Sequence, residues 1–156
     1  MKKYNLKQII TGILLFGYTA TGFIDTLVHS QKTYSSIMGM DINRVYFYTF
    51  LLLVIGCWLL YHKWLVGIGF LALAAFNSYF IEFIYIHNYF ASILIYIGII
   101  IDIVTRKKQK WLIPLIIVGI IQSVAFLGPW LSFYMVGFME FSALCIGSVF
   151  VLKTMQ

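Results

Sequence analysis

Charged side chains are scarce in this chain. Only 10% of its 156 residues are Asp, Glu, Lys or Arg, and only five of them are acidic. Hydrophobic residues make up 62% of the chain, and the mean hydropathy is +0.96. This composition leaves too little polar surface to cover a water-soluble globule, so we expect a membrane protein. The net charge of +6 is then better explained by membrane topology than by nucleic-acid binding.

Cysteine, proline and histidine are also rare, with two, two and three residues. Cys57 and Cys145 lie in separate apolar stretches, which predicts two buried thiols and no disulfide. The chain contains no C-x-x-C pair, no glycine loop of the phosphate-binding type and no H-E-x-x-H zinc helix. No cofactor is therefore evident, and no motif names a reaction.

What the chain does contain is a series of six apolar stretches, at about 9–28, 45–61, 64–86, 89–105, 111–127 and 131–152. About 20 helical residues cross a hydrocarbon core about 30 Å thick. The pattern predicts an all-α fold in which residues 1–156 form one membrane domain of six transmembrane helices. The fourth stretch has the weakest boundaries, and if it did not cross, the protein would have five spans.

Basic residues alternate between the connecting segments. Nine of the eleven lysines and arginines fall at the termini and in the second and fourth connections, whereas only Lys32 and Arg44 fall in the other set. Loops rich in Lys and Arg face the cytosol. We therefore expect a multi-pass protein of the bacterial cytoplasmic membrane, in contact with the lipid bilayer, with both termini inside and Lys32 outside.

Four ionisable residues could meet near the outer face of the membrane. Asp25 lies about 24 Å along the first helix, His29 follows one turn later, and Glu82 and His87 reach a similar level on the third helix. Carboxylate and imidazole together suit a divalent metal, and they also suit a proton relay. A third interpretation is that these residues, with the nearby Asn77, simply reach the wet interface.

These segments bear a faint resemblance to a group of small uncharacterised bacterial membrane proteins. That group carries Gly-Phe-x-Asp followed by His-Gln, and later Phe-Asn followed by Glu and His. The matching residues, within about residues 10–90, are Gly22, Phe23, Asp25, His29 and Gln31, and then Phe76, Asn77, Glu82 and His87. The chain departs from the pattern at Ser30, in the Asn-to-Glu spacing and in lacking further histidines. The resemblance implies no activity.

Asp102 has a local partner in the sequence. Arg106 follows it at i+4 near the predicted cytosolic end of the fourth helix, in the favourable order with the acid first. We therefore predict an ion pair between Asp102 and Arg106.

Glu140 lies about 14 Å into the sixth predicted helix, near the middle of the bilayer. Gln122, on the preceding antiparallel helix, falls at nearly the same depth. A protonated Glu140 that donates a hydrogen bond to Gln122 would join the two helices. A carboxyl group in a proton or cation pathway is the alternative, because acids within membranes are common at transport sites.

These features favour a small non-enzymatic membrane protein. It would be a transport component, or an accessory or immunity subunit that docks on a larger membrane partner. The alternative is a membrane-embedded metal-dependent enzyme at the outer leaflet, with Asp25, His29, Glu82 and His87 around a divalent ion. We expect no nucleic-acid partner.

Overall fold

A computed structural model describes residues 5–29, 41–76, 86–87, 92–107, 109–127 and 133–155. For residues 92, 109, 118, 121–127 and 133–140, the backbone alone is described. These ranges contain only helices and turns, so the predicted all-α class is confirmed. The helices are α1 (Leu6–Val28), α2 (Ile42–His62), α3 (Trp64–Ala75), α4 (Ser92–Thr105), a short 3-10 helix (Gln109–Trp111), α5 (Leu112–Leu127) and α6 (Phe133–Thr154).

Each helix falls on one of the six apolar stretches, in the same order. Among the described residues, α1 and α2 are long and apolar enough to cross a membrane, as judged by length and composition. The bundle of six membrane-spanning helices stays a prediction.

Polar side chains determine where α1 and α2 begin. Asn5 caps α1: its side chain accepts from the Gln8 backbone N–H at 2.9 Å, and the Gln8 side chain accepts from the Asn5 N–H at 3.1 Å. Asp41 caps α2 by accepting from the Arg44 N–H at 3.0 Å, and its carboxylate also pairs with the Arg44 guanidinium. These bonds satisfy backbone donors that a helix start leaves without partners. The bonds from Arg44 lower the pKa of the Asp41 carboxyl.

The polarity of α1 is reversed relative to a helix of a soluble protein. Thr11, Thr19 and Thr26 are 0%, 1% and 3% exposed, whereas Leu6 and Ile13 are 72% and 69% exposed. Each buried threonine hydroxyl donates to a backbone carbonyl three or four residues earlier. The helix thus buries these three small polar side chains, together with Leu15 and Tyr18, and presents Leu6, Ile13 and other large apolar side chains outward.

The chain forms two compact units, of which the first combines Met1–Thr33 with Gln109–Gln156. In this unit α1 runs antiparallel to α6. Gln8, at the start of α1, donates from Nε2 to the Leu152 carbonyl at 3.1 Å, and the Phe23 ring stacks on Phe141 at 4.4 Å. Gln8 therefore links the first turn of α1 to a carbonyl in the last turn of α6.

The second unit, Tyr34–Lys108, is built on a tight hairpin of α2 and α3. A Cβ atom at Gly67 would lie 2.5 Å from the Leu60 Cα, and one at Gly56 would lie 2.7 Å from the Leu71 side chain. Glycine at both positions allows the two helix backbones to approach closely, a common device between membrane helices. Gly98 of α4 then packs against α3.

The helix within the third predicted span, 64–86, is interrupted after Ala75, and residues 77–85 lie outside the described part of the structure. α3 ends at Ala75, and Phe76 leaves the helix with φ −99° and ψ 72°. The His87 Nδ1 atom lies 2.7 Å from the Phe76 carbonyl oxygen. A straight helix would separate these two residues by about 16 Å, so residues 76–87 do not form one straight helix. Asn77 and Ser78 follow Phe76 in the sequence, and both residue types compete with helical hydrogen bonding.

Candidate functional site

The most completely described polar cluster comprises Lys63, Asp102 and Arg106, and we refer to it as the basic triad. Lys63 Nζ lies 2.5 Å from Asp102 Oδ2, and Arg106 Nε lies 2.8 Å from Asp102 Oδ1. One carboxylate thus bridges two cations. The exposed fractions of the three side chains are 6% for Lys63, 17% for Asp102 and 40% for Arg106, so exposure increases from Lys63 to Arg106.

Lys63 is placed in the triad by the hairpin turn. It ends α2, where its N–H donates to the Leu59 carbonyl, and it immediately precedes α3. Burial lowers the pKa of the Lys63 ammonium group, and the bond to Asp102 offsets part of that effect. The turn therefore holds a desolvated ammonium group whose positive charge is balanced by the Asp102 carboxylate.

The contact between Asp102 and Arg106 is the one expected from their i+4 spacing, but the sequence analysis missed Lys63. Lys63 is 39 positions from Asp102, and no local pattern joins the two. A signal was nevertheless present, because the second connection and the end of the fourth stretch are both predicted to be cytosolic. Antiparallel helices such as α3 and α4 bring those two ends to the same level.

Lys107 ends α4 in an unusual backbone conformation. Its φ is 53°, the only positive value at a non-glycine residue in the described part of the chain, and its N–H donates to the Val104 carbonyl at 3.0 Å. Glycine is the usual residue at such a helix end, and a side chain there costs roughly 1 kcal/mol. The exposed Lys107 side chain follows directly after Arg106.

His87 does not reach a wet boundary, as one interpretation of the sequence proposed. Its side chain is buried, with 3% of its surface exposed, and its ring nitrogen contacts the Phe76 carbonyl where α3 ends. A helix end leaves carbonyls without intrahelical partners. The His87 imidazole partners one such carbonyl from a position eleven residues later in the chain.

Asp25 and His29 lie together in the last turn of α1. The His29 ring nitrogen Nδ1 is 3.1 Å from the Asp25 backbone carbonyl oxygen, and the His29 N–H donates to the same carbonyl at 3.0 Å. His29 thus caps the end of α1. Asp25, the other residue that α1 contributes to the predicted cluster, lies in the last turn of the same helix. The two residues share one helix end, as the spacing indicates.

Several residues singled out from the sequence lie outside the described parts of the structure. Glu82 and Asn77 are among them, as are the side chains of Gln122 and Glu140. Within the described residues, no group of three or more His, Cys, Asp or Glu side chains is placed to hold a metal ion. The divalent-metal site of Asp25, His29, Glu82 and His87 and the contact of Glu140 with Gln122 stay predictions.

Both cysteines are free thiols. Cys57 is exposed on α2 and Cys145 is partly exposed on α6, so the prediction that both are buried is wrong. An apolar neighbourhood in the sequence does not distinguish the inner face of a helix from its outer face, because both faces are apolar here.

Comparison with known proteins gives no relative from which a function could be transferred. No family model matches the chain, and it matches no curated protein and no solved structure.

Proposed function

We propose that this chain is a six-span protein of the bacterial cytoplasmic membrane with both termini in the cytosol, and that its function is non-enzymatic. The observation that carries the membrane assignment is the reversed polarity of α1. Other helices also present large apolar side chains outward. The exposed residues are Ile93, Ile97, Ile101 and Val104 on α4, and Ile113, Ile116, Ile117 and Ile120 on α5.

Apolar stripes of this kind are unfavourable in water and favourable in lipid. A soluble monomer rarely exposes a continuous apolar patch larger than a few hundred Å². In hydrocarbon the same side chains need no cover, whereas small polar side chains must turn inward and bond to protein groups. Thr11, Thr19 and Thr26 of α1 do both.

Labelling of single cysteines should establish the topology. In a Cys57→Ala, Cys145→Ala background, we expect Lys32→Cys to react with a membrane-impermeant maleimide on intact cells. We expect Lys107→Cys to react only after the cells are permeabilised, because the segments rich in Lys and Arg remain in the cytosol. Labelling of position 107 in intact cells, with position 32 protected, would reject this orientation.

Between the two non-enzymatic roles, the interruption after α3 favours a transport component over an accessory or immunity subunit. The twelve residues of α3 extend about 18 Å from the Lys63 turn. Under the proposed topology, the helix therefore ends within the hydrocarbon core. Non-helical backbone at that depth is tolerated only inside protein or beside a water-filled cavity. Interrupted helices form the ion sites of many transporters, and here a buried imidazole occupies the interruption.

Transport can be measured directly in reconstituted vesicles. We expect proteoliposomes to conduct protons, Na⁺ or K⁺ above the rate of protein-free vesicles, as followed with entrapped ion-sensitive dyes. His87→Ala should reduce that flux at least about tenfold, because it removes the polar group at the interruption of the helix. His62→Ala is the matched control, since His62 packs against Trp58 at the end of α2 and should leave the flux unchanged.

The flux assay also separates the two non-enzymatic roles. Folded protein that conducts none of the three cations above the protein-free rate would contradict the transport proposal. Equal flux in His87→Ala and in the wild type would show that the interruption after α3 plays no part in ion transport.

A further inference from the structure

We propose that the exposed side of the basic triad, together with Lys107, binds the phosphate group of an anionic phospholipid. This inference rests on the membrane location proposed above. It adds a specific ligand site at the cytosolic end of the second unit.

The charges of the triad do not cancel. Asp102 carries one negative charge and contacts two cations, so the cluster keeps one positive charge, and Lys107 adds another. The contact with Asp102 uses the Nε–H of Arg106, which is one of the five guanidinium donors. A planar guanidinium group that a carboxylate already orients is well suited to phosphate, which it can bind through two parallel bonds.

The position of the site matches the depth of lipid headgroups. Tyr61 and Trp64 flank Lys63 in the sequence and are 87% and 62% exposed. Tyrosine and tryptophan concentrate at the membrane interface, where the ring contacts acyl chains and the polar atom meets water. These two side chains lie at the hairpin turn that supplies Lys63. The interfacial aromatic side chains and the cations of the site therefore lie at the same depth in the membrane.

The backbone conformation of Lys107 is a second, independent observation. A residue in a strained conformation points to a local role when the surrounding structure holds it there. The left-handed turn at Lys107 ends α4 directly after Arg106, so two consecutive cations lie at the same helix end. Basic residues at the cytosolic ends of membrane helices are the usual ligands of anionic lipid headgroups.

The roles within the site follow from burial. Arg106 and Lys107 are exposed and contact the phosphate, whereas Lys63 is buried and Asp102 orients the guanidinium group. Asp102 is therefore a positioning residue. The phosphate could also come from a soluble anion, so the experiment must distinguish a lipid from free phosphate.

Binding can be measured on the full-length protein in a neutral detergent, by its thermal stabilisation. The probes are short-chain phosphatidylglycerol, short-chain phosphatidylcholine and inorganic phosphate. We expect the wild type to bind phosphatidylglycerol at least about fivefold more tightly than phosphatidylcholine. Inorganic phosphate at millimolar concentration should give no comparable stabilisation.

The variant Arg106→Gln, Lys107→Gln should weaken phosphatidylglycerol binding about tenfold or more. Its affinity for phosphatidylcholine should stay within about twofold of the wild type, because that affinity does not depend on net lipid charge. Lys7→Gln, which removes one exposed charge from the start of α1, is the control and should behave as the wild type. Arg106→Lys keeps the charge and loses the planar fork, so it should retain intermediate affinity.

Unchanged phosphatidylglycerol binding in the double variant would overturn the proposal. Equal stabilisation by inorganic phosphate would also overturn it, because the site would then serve a soluble anion. Carbonate extraction of the same cell membranes tests the underlying location separately. Protein that stays in the pellet but shows no lipid preference disproves only the lipid site, whereas protein released by carbonate disproves the membrane assignment.

Discussion

Gly67→Ala is expected to destabilise the protein by about 3 kcal/mol or more. The new methyl group would lie 2.5 Å from the Leu60 Cα and 2.8 Å from the Leu59 carbonyl carbon. Both atoms belong to the helix backbone, so no rotamer change can relieve the overlap, and α2 would have to move away from α3. That movement would also displace Lys63, which lies at the turn between them.

The matched control is Gly17→Ala on α1, where an added Cβ atom has no neighbour within 4 Å among the described residues. Alanine is a better helix former than glycine by about 0.5–1 kcal/mol, so this variant should be as stable as the wild type or slightly more stable. Thermal or denaturant unfolding in detergent, followed by circular dichroism, would compare the two. Equal midpoints for both variants would show that α2 and α3 do not approach as closely as described.

Asp102→Ala is expected to destabilise the protein more than any other single change in the basic triad, by about 2–4 kcal/mol. Its removal leaves the Lys63 ammonium group buried without the carboxylate at 2.5 Å. Lys63→Met should cost less, because the remaining carboxylate keeps its contact with Arg106 and is partly exposed. Arg106→Gln should cost about 1 kcal/mol or less, as expected for an exposed ion pair.

The double variant Lys63→Met, Asp102→Ala tests the coupling. Removing both buried partners leaves no buried unpaired charge, because the Arg106 guanidinium is exposed, so the double variant should be more stable than Asp102→Ala alone. Unfolding midpoints of the four proteins complete a double-mutant cycle. A double variant that is less stable than Asp102→Ala would show that the contact between Lys63 and Asp102 does not contribute as described.

The pH dependence of stability provides a further check on the same residues. In the folded protein the pKa of Lys63 is below its ordinary value of 10.5. The folded state therefore releases this proton at a lower pH than the unfolded state does. Lys63 should make stability rise with pH between its folded pKa and 10.5, and have no such effect below that window. Lys63→Met should abolish this rise.

The sequence did not indicate that the helix of the third span ends at Ala75. Residues 64–86 contain no proline, and their hydropathy is high enough for a span. The helix ends instead before Phe76, whose carbonyl oxygen contacts His87 from eleven positions away. Hydropathy averages a property over neighbours in the sequence, so it does not register a side chain that returns to the end of a helix.

The sequence by itself determined the helical class, the order of the helices and the local bonds at their ends. The apolar stretches are continuous in the sequence, and the contacts of Asn5, Asp41 and Asp102 reach four residues or fewer, so both can be recognised without a fold.

Only the tertiary structure decided which faces turn inward, and it brought Lys63 to Asp102 and Gly67 to the backbone of α2. In a chain that is apolar on nearly every helix face, hydrophobicity does not select the buried side. Close backbone approach and the pairing of the few polar groups select it instead, and both depend on residues that are distant in the sequence.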